Sequence, residues 1–184
     1  VKENNTSNFD LLQEKALEVL KEKQDTDAGL LLYNSGNSGG ARPKAIFSDS
    51  KGHWLIKFRH YYDPVDIGQQ ELHYNEVARR CGINVPEWKL TNGRYLTTRR
   101  FDIAPNGERI HTATAGGLLC LSLTMPYLDY ANLLALTGFL TQNAKDVEEI
   151  FRRMVFNYLT DNKDDHCKNF RFTVLDDGKG QYSW

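Results

Sequence analysis

The sequence predicts an α+β chain of two lobes, a small antiparallel-sheet lobe followed by a helical one. Three observations carry that expectation. Short apolar and alternating runs punctuated by turn residues fill the stretch from Gly29 to Arg100, and from Thr114 onward the composition turns helical. Asn92-Gly93 between two strand-like runs is the strongest short-range hairpin signal. At 184 residues, with 40% apolar and 26% charged side chains, the chain has the composition of an ordinary globular protein and the length to build a real core. The expected division is 1–28 for an N-terminal helix and linker, 29–112 for the sheet lobe and 113–184 for the helical lobe.

Composition excludes several classes. A net charge of −1 and a pI near 6.6 leave no global basic footprint for direct nucleic-acid binding, and the pairs Arg79-Arg80, Arg99-Arg100 and Arg152-Arg153 read as solvated faces. The three cysteines, Cys81, Cys120 and Cys167, are odd in number, far apart and without C-x-x-C, so neither a disulfide framework nor a zinc site is indicated. A reducing cytoplasm fits them. The five histidines, His53, His60, His73, His111 and His166, show no metal-ligand spacing. No apolar run approaches the roughly twenty residues of a membrane span, and Val1 to Ser7 is polar rather than signal-like. The start at Val1, without methionine, reads as a trimmed chain.

Ser7 and Asp10 are suited to cap a helix with Phe9, Leu12, Ala16, Val19 and Leu20 on one side and Glu14, Lys15, Glu18 and Lys21 on the other. After a linker at 24–28, Gly29 to Tyr33 reads as a buried strand. It runs into the glycine-rich turn Asn34 to Gly40, then Ala41-Arg42-Pro43-Lys44 and a strand at Ala45 to Phe47. Strand, glycine-rich loop, strand covers phosphates in some folds, because glycine lets backbone N–H groups approach closely; a flexible hairpin connection has the same composition. In the next strand, His53 to Phe58, Trp54, Ile56 and Phe58 share one face, leaving Leu55 and Lys57 on the other. A lysine there pairs ATP phosphates in kinases, or guards an edge strand. A helix from Gln69 to Cys81 is expected to turn Glu71, Tyr74, Ala78 and Cys81 inward and to end at Gly82. Glu71 then stands in its first turn as the partner of a strand-borne lysine. The hairpin at Thr91-Asn92-Gly93 leads through Arg94 to Arg100 into Phe101 and Asp102, and Tyr130, Leu133, Leu134 and Leu136 mark an amphipathic segment.

The densest site chemistry is the run Asn162 to Phe170. The helix before it carries Val147, Ile150, Phe151, Met154, Val155, Tyr158 and Leu159 at the spacing of a buried face, with Asp146 and Glu149 suited to its start. Beyond the run, Phe170, Phe172 and Val174 alternate as a strand that ends at the turn Asp176-Asp177-Gly178. Asp164 and Asn169 are five apart, the spacing at which a kinase catalytic loop places an aspartate for a hydroxyl proton and an asparagine for a metal ion. A solvated turn after a helix is the alternative for the run taken alone.

With the glycine-rich turn, Lys57, Glu71, Arg100-Phe101-Asp102 and the Asp164 run in this order, the chain resembles the HipA family of serine/threonine kinases, toxin components of bacterial toxin–antitoxin systems. The likeness runs from about Leu30 to Trp184. Its most specific parts are Gly39-Gly40-Ala41-Arg42-Pro43-Lys44-Ala45, Arg100-Phe101-Asp102, and Phe156-Asn157 through Asn162-x-Asp164-Asp165-His166-x-Lys168-Asn169-Phe170. The resemblance implies a protein-kinase-like two-lobe fold whose helical C-lobe is incomplete here. It implies that Ser38, Gly39 and Gly40 cover ATP, that Lys57 binds its phosphates and Glu71 orients Lys57, and that backbone at Arg99 and Phe101 meets adenine. Asp164 is then the base and Asn169 a magnesium ligand. His166 reads equally as a nucleotide-phosphate contact and as a structural member of the loop, and Asp165 as a brace.

Two departures from the family pattern matter. Its members continue past the position of Trp184 into a segment with a second metal-binding aspartate, so this chain alone is expected to bind ATP weakly and to expose an apolar patch. The family's self-phosphorylated serine falls where Asn37 stands, which leaves Ser38 and Ser35 as the candidates. The expected function is phosphorylation of a protein such as an aminoacyl-tRNA synthetase, with ATP and Mg2+ as cofactors, a helix-turn-helix antitoxin as partner and no membrane. A small-molecule or lipid kinase shares the order Asp164-x-His166-x-x-Asn169, and a nucleotide- or partner-binding module without transfer is the non-enzymatic alternative.

Overall fold

The computed structural model describes residues 9–22, 42–121, 128–174 and 182–183. The strand expected at 29–33, the glycine-rich turn at 34–40 and the turn at 176–178 lie outside them, as does Ser7.

Phe9–Glu22 forms the first helix, α1. It buries Phe9 and Ala16 as the pattern predicts, and it also buries Gln13. The Gln13 side chain lies along the backbone of Arg59: its Nε2 donates to the Arg59 carbonyl at 3.0 Å and its Oε1 accepts from the Arg59 N–H at 2.8 Å. One side-chain amide thereby satisfies both main-chain groups of a residue that has left the sheet. Asp10 is not a cap. It sits inside the first turn and accepts from the Tyr95 hydroxyl and from Arg94 Nη2, each at 2.7 Å.

Four antiparallel strands follow in the order β1-β2-β4-β3: β1 Lys44–Asp49, β2 Gly52–Lys57, β3 Trp88–Thr91 and β4 Tyr95–Arg99. Alternation in β2 sends Trp54 and Ile56 into the interior with Phe58 just beyond, and Ile56 and Phe58 join Phe9 and Tyr95 in one core. The Phe9 and Phe47 rings lie 5.1 Å apart, and Phe58 meets Tyr95 edge-on at 5.4 Å. The β3–β4 connection holds Asn92 and Gly93 at φ of 50° and 69°, the left-handed conformation that made Asn-Gly a turn signal.

Between β2 and β3 lies α2, Ile67–Arg80, with Gly82 at φ 78° just past its end. The expected inner face needs correction: Ala78 is buried and Glu71 half-buried, but Tyr74 and Cys81 are exposed. The covered row runs Gly68, Glu71, Asn75, Ala78, so Tyr74 is out of phase with it and Cys81 lies beyond the helix.

The second half contains β5 Thr112–Thr114, the one-turn helix α3 Ala115–Leu118, α4 Tyr130–Thr141, α5 Ala144–Leu159, β6 Arg171–Val174 and β7 Tyr182–Ser183. The lobe expected to be helical therefore carries a three-stranded antiparallel sheet, β5-β6-β7, of which the sequence predicted only β6. Its core is Ala115, Leu133, Ile150, Phe170 and Phe172.

Helix α5 departs from expectation twice. Its cap is Asn143, whose side chain accepts from the Lys145 N–H at 3.1 Å, and the helix begins at Ala144 rather than Asp146. Glu149 is spent on Arg152, Arg153 and the Asn84 N–H, each at 2.9 Å. Of the predicted apolar face only part is covered: Ile150 is buried, whereas Phe151 and Val155 are exposed, Tyr158 is 86% accessible and Leu159 75%. The chain divides into two compact units, one of Val1–Val77 with Val85–Arg100 and one of Ala78–Asn84 with Phe101–Trp184. Among the described residues no helix is long and apolar enough to cross a membrane.

Candidate functional site

In the first unit, Lys57 ends β2 on the face opposite Ile56, and its Nζ lies 3.3 Å from Oε2 of Glu71 on α2. The strand lysine and the helix glutamate thus form the ion pair that their positions predicted. Glu71 is shared, because Arg42 Nη1 donates to its other oxygen at 2.9 Å. Arg42 also grips Asp63 with two parallel bonds of 2.9 Å, a bidentate geometry that a lysine cannot supply. Burial pushes the Asp63 carboxyl up, but the Arg42 fork and the His60 N–H more than offset it and hold the group below its ordinary value.

Lys44 pairs directly across from Lys57 in the β1–β2 register and is only 8% exposed. Like charges facing each other in a ladder are unfavourable unless anions stand against them, and Glu71 and Asp63 do so for part of this cluster. In the sequence Lys44 and Arg42 are motif residues to which the motif alone assigns no role. The signal for Lys44 was available: a two-residue turn at Ser50-Lys51 fixes the register, and counting back from it puts Lys44 opposite Lys57. A cavity of about 190 Å³ beside the ion pair is lined by Lys57, Glu71 and Arg42 together with Asp10, Gln13 and Glu14 of α1.

In the second unit, the Asp164 loop hangs from the end of α5. Asp161 at φ 52° takes the left-handed position usually given to glycine, and the Asn162 N–H returns to the Asn157 carbonyl at 2.9 Å. The Asn162 side chain then accepts from the Asp164 N–H at 3.1 Å. The Asp164 carboxylate is 82% accessible, with His166 Nε2 at 3.3 Å. His166 Nδ1 accepts from the Lys168 N–H at 3.3 Å, so in the neutral ring the proton sits on Nε2 and is donated toward Asp164. Asn169 gives its amide NH2 to the Asp164 carbonyl at 2.5 Å, which leaves Oδ1 as the outward end of the group. Asp165 points elsewhere and accepts from Tyr130 Oη at 3.0 Å. Below the loop Cys167 is buried against Gly116, whose N–H donates to the Cys167 carbonyl at 3.1 Å.

Asp164, His166 and Asn169 are therefore brought together in the second unit, and Lys57 and Glu71 in the first. Arg99 uses its N–H on the Glu87 carbonyl at 2.8 Å and its guanidinium on the Glu87 carboxylate at 3.1 Å, while Phe101 is exposed. Ser35, Ser38, Gly39 and Gly40 lie outside the described residues. Among the described residues no three His, Cys, Asp or Glu side chains gather as a metal site. Asn169 Oδ1 is the kind of single hard oxygen that suits Mg2+, which keeps several waters and takes one or two protein oxygens.

The HipA-like C-terminal domain family matches residues 36–183. Among solved structures the chain is similar to one from the Shewanella oneidensis MR-1 toxin–antitoxin complex of HipA, HipB and its operator DNA, with a TM-score of 0.63 and 19% identity. The match covers 100% of this chain and 56% of that one, so this chain spans little more than half the length of that relative, and the likeness is one of fold. No curated protein matches it.

Proposed function

The chain belongs to the HipA-like C-terminal domain family, and from that membership together with the site geometry we propose that it is the ATP-dependent kinase domain of a cytoplasmic serine/threonine protein kinase. The observation that carries the reading is the Lys57–Glu71 ion pair at 3.3 Å, since a strand lysine held by a helix glutamate is the arrangement that presents an ammonium to ATP phosphates. The accessible Asp164, next to an asparagine with its oxygen turned outward, is the complementary half of the chemistry.

In this reading the hydroxyl of a substrate serine or threonine attacks the γ-phosphorus of ATP, the bond to the β-phosphate oxygen breaks, and ADP leaves. The hydroxyl proton passes to Asp164. Lys57, held by Glu71, steadies the phosphates; Asn169 would hold Mg2+, which supplies charge neutralisation on them when bound. Ser38, Gly39 and Gly40 cover the phosphates, backbone at Arg99 and at Phe101 meets adenine, and Ser38 or Ser35 takes a self-phosphorylation. The protein substrate is of the aminoacyl-tRNA synthetase kind. The partner is a helix-turn-helix antitoxin, in keeping with the HipA–HipB–operator complex of the similar structure.

Transfer of label from radiolabelled ATP to a protein serine or threonine tests this. Asp164→Ala should lower it by roughly 10²–10⁴-fold with the circular dichroism spectrum unchanged. Undiminished transfer would remove Asp164 from its role, label on a lipid or sugar would replace the protein substrate, and ATP binding without transfer to any acceptor would reduce the domain to a binding module.

A further inference from the structure

The Asp164 loop is tied to the two helices beneath it by an unbroken chain of side-chain hydrogen bonds. Starting from the loop, the Asp164 N–H donates to Asn162 Oδ1 at 3.1 Å, Asn162 Nδ2 donates to Asn157 Oδ1 at 3.0 Å, Asn157 Nδ2 donates to Tyr130 Oη at 2.8 Å, and Tyr130 Oη donates to Asp165 Oδ2 at 3.0 Å. The chain leaves the loop at Asp164 and re-enters it at Asp165, one residue later. Each donor points the same way around the circuit, so the Asn157 amide can neither flip nor turn away without breaking two bonds. Tyr130 opens α4 and Asn157 lies in the last turns of α5. The Tyr130 ring also packs edge-on against Phe170, at 5.9 Å, where the loop ends.

We infer that Tyr130 and Asn157 are positioning residues for phosphoryl transfer, holding the Asp164 backbone through Asn162 and the Asp165 carboxylate directly. The inference rests on the kinase reading above and adds to it a pair of helix residues that touch neither nucleotide nor acceptor. The Asp164 side chain is exposed and touched by His166 at 3.3 Å, so beyond that contact its aim depends on the main chain at 162–165. Fixing that main chain is what a base needs if its carboxylate is to meet a hydroxyl proton at hydrogen-bonding distance. Asp165 is a member of the brace and does not react.

The test uses the natural polypeptide that contains this chain. Tyr130→Phe removes one oxygen and keeps the ring on Phe170. It should lower kcat by roughly 10-fold or more with the ATP KM within about twofold of the parent. Asn157→Ala should match it, and the double variant should be no worse than either single one, because both cut one circuit. Asp165→Asn keeps an acceptor oxygen and should lose less than Asp165→Ala. Parental kcat in Tyr130→Phe overturns the inference, and so do equal losses for the two Asp165 variants, which would make Asp165 a reacting group. Amide hydrogen exchange across 162–169 gives a readout that needs no activity. It should speed up in Tyr130→Phe while exchange in β1 to β4 stays the same, and unchanged exchange in the loop refutes the brace. A parent that transfers no phosphate yet shows the exchange difference would sink the kinase reading and leave the brace standing.

Discussion

Gly68 is the tightest position for which a single added carbon can be judged. A Cβ built there would lie 1.9 Å from the Arg94 carbonyl oxygen and 2.9 Å from its carbon, and both are backbone atoms with no rotamer by which to retreat. The first turn of α2 therefore rests on the start of β4 through a glycine, and Glu71 stands one turn further along the same helix. Gly68→Ala must push that turn outward. It should destabilise the chain by about 1–3 kcal/mol, as overpacking does, and should weaken ATP binding as well, since the shift carries Glu71 away from Lys57. Urea unfolding and calorimetric ATP titration read the two effects separately. An alanine variant with parental stability would mean that α2 does not sit on the Arg94 carbonyl.

At the scale of elements, what was legible in the sequence is what local chemistry decides. Asn92-Gly93 marked its turn because both residues need positive φ, and the alternation in β2 was enough to send Lys57 away from the core that takes Ile56. Gln13 was not legible: a glutamine in an amphipathic pattern counts as polar, and only the passage of Arg59 beside it makes burial favourable. Strand β5 has three residues, too few for a period to register. In α5 the expected single buried face is covered only along the side of Ile150, because periodicity marks a face without saying how much of it a neighbour covers. The Tyr130 hydroxyl was hidden in the same way, its ring read as one more apolar position of α4. The β1–β2 hairpin offers a test at this scale. Burial pushes the Asp49 carboxyl up, but Lys89, the Trp54 indole N–H and the Lys51 N–H outweigh it and hold the group at about 2, against 3.8 unperturbed. A folded-state value below the unfolded one means that folding favours the ionised form. That contribution is fully present above about pH 4 and is lost as the pH falls through about 2. Asp49→Asn should therefore lower stability at neutral pH and flatten the decline of stability between pH 4 and 2, as followed by urea melts at each pH. Parallel curves for the parent and the variant would show that Asp49 is not held by Lys89 and Trp54.

For the whole molecule, the expectation of an α+β chain with an antiparallel sheet and helices holds, and the chain divides into two compact units whose cores are separate. Phe9, Ile56, Phe58 and Tyr95 form one, Ala115, Leu133, Ile150, Phe170 and Phe172 the other, and each belongs to its own compact unit. The candidate residues divide in the same way, with Lys57 and Glu71 in the first unit and Asp164 and Asn169 in the second. The proposed reaction gives residues of each set a role, and this gives it a thermodynamic signature independent of turnover. A ligand that binds the folded state stabilises it by RT ln(1 + [L]/Kd), about 2.7 kcal/mol at a hundredfold excess over Kd. ATP with Mg2+ should then raise the melting temperature of the parent. Lys57→Ala in one unit and Asn169→Ala in the other should each remove most of that rise while leaving the ligand-free melt near the parental one, since Lys57 is half-buried and Asn169 exposed. ATP without Mg2+ should give a smaller rise that Asn169→Ala does not reduce further, because the amide oxygen acts only through the metal. If the rise survives in either alanine variant, that residue is not part of the nucleotide site; if it depends on Lys57 and is indifferent both to Mg2+ and to Asn169, the domain holds nucleotide through its first unit alone.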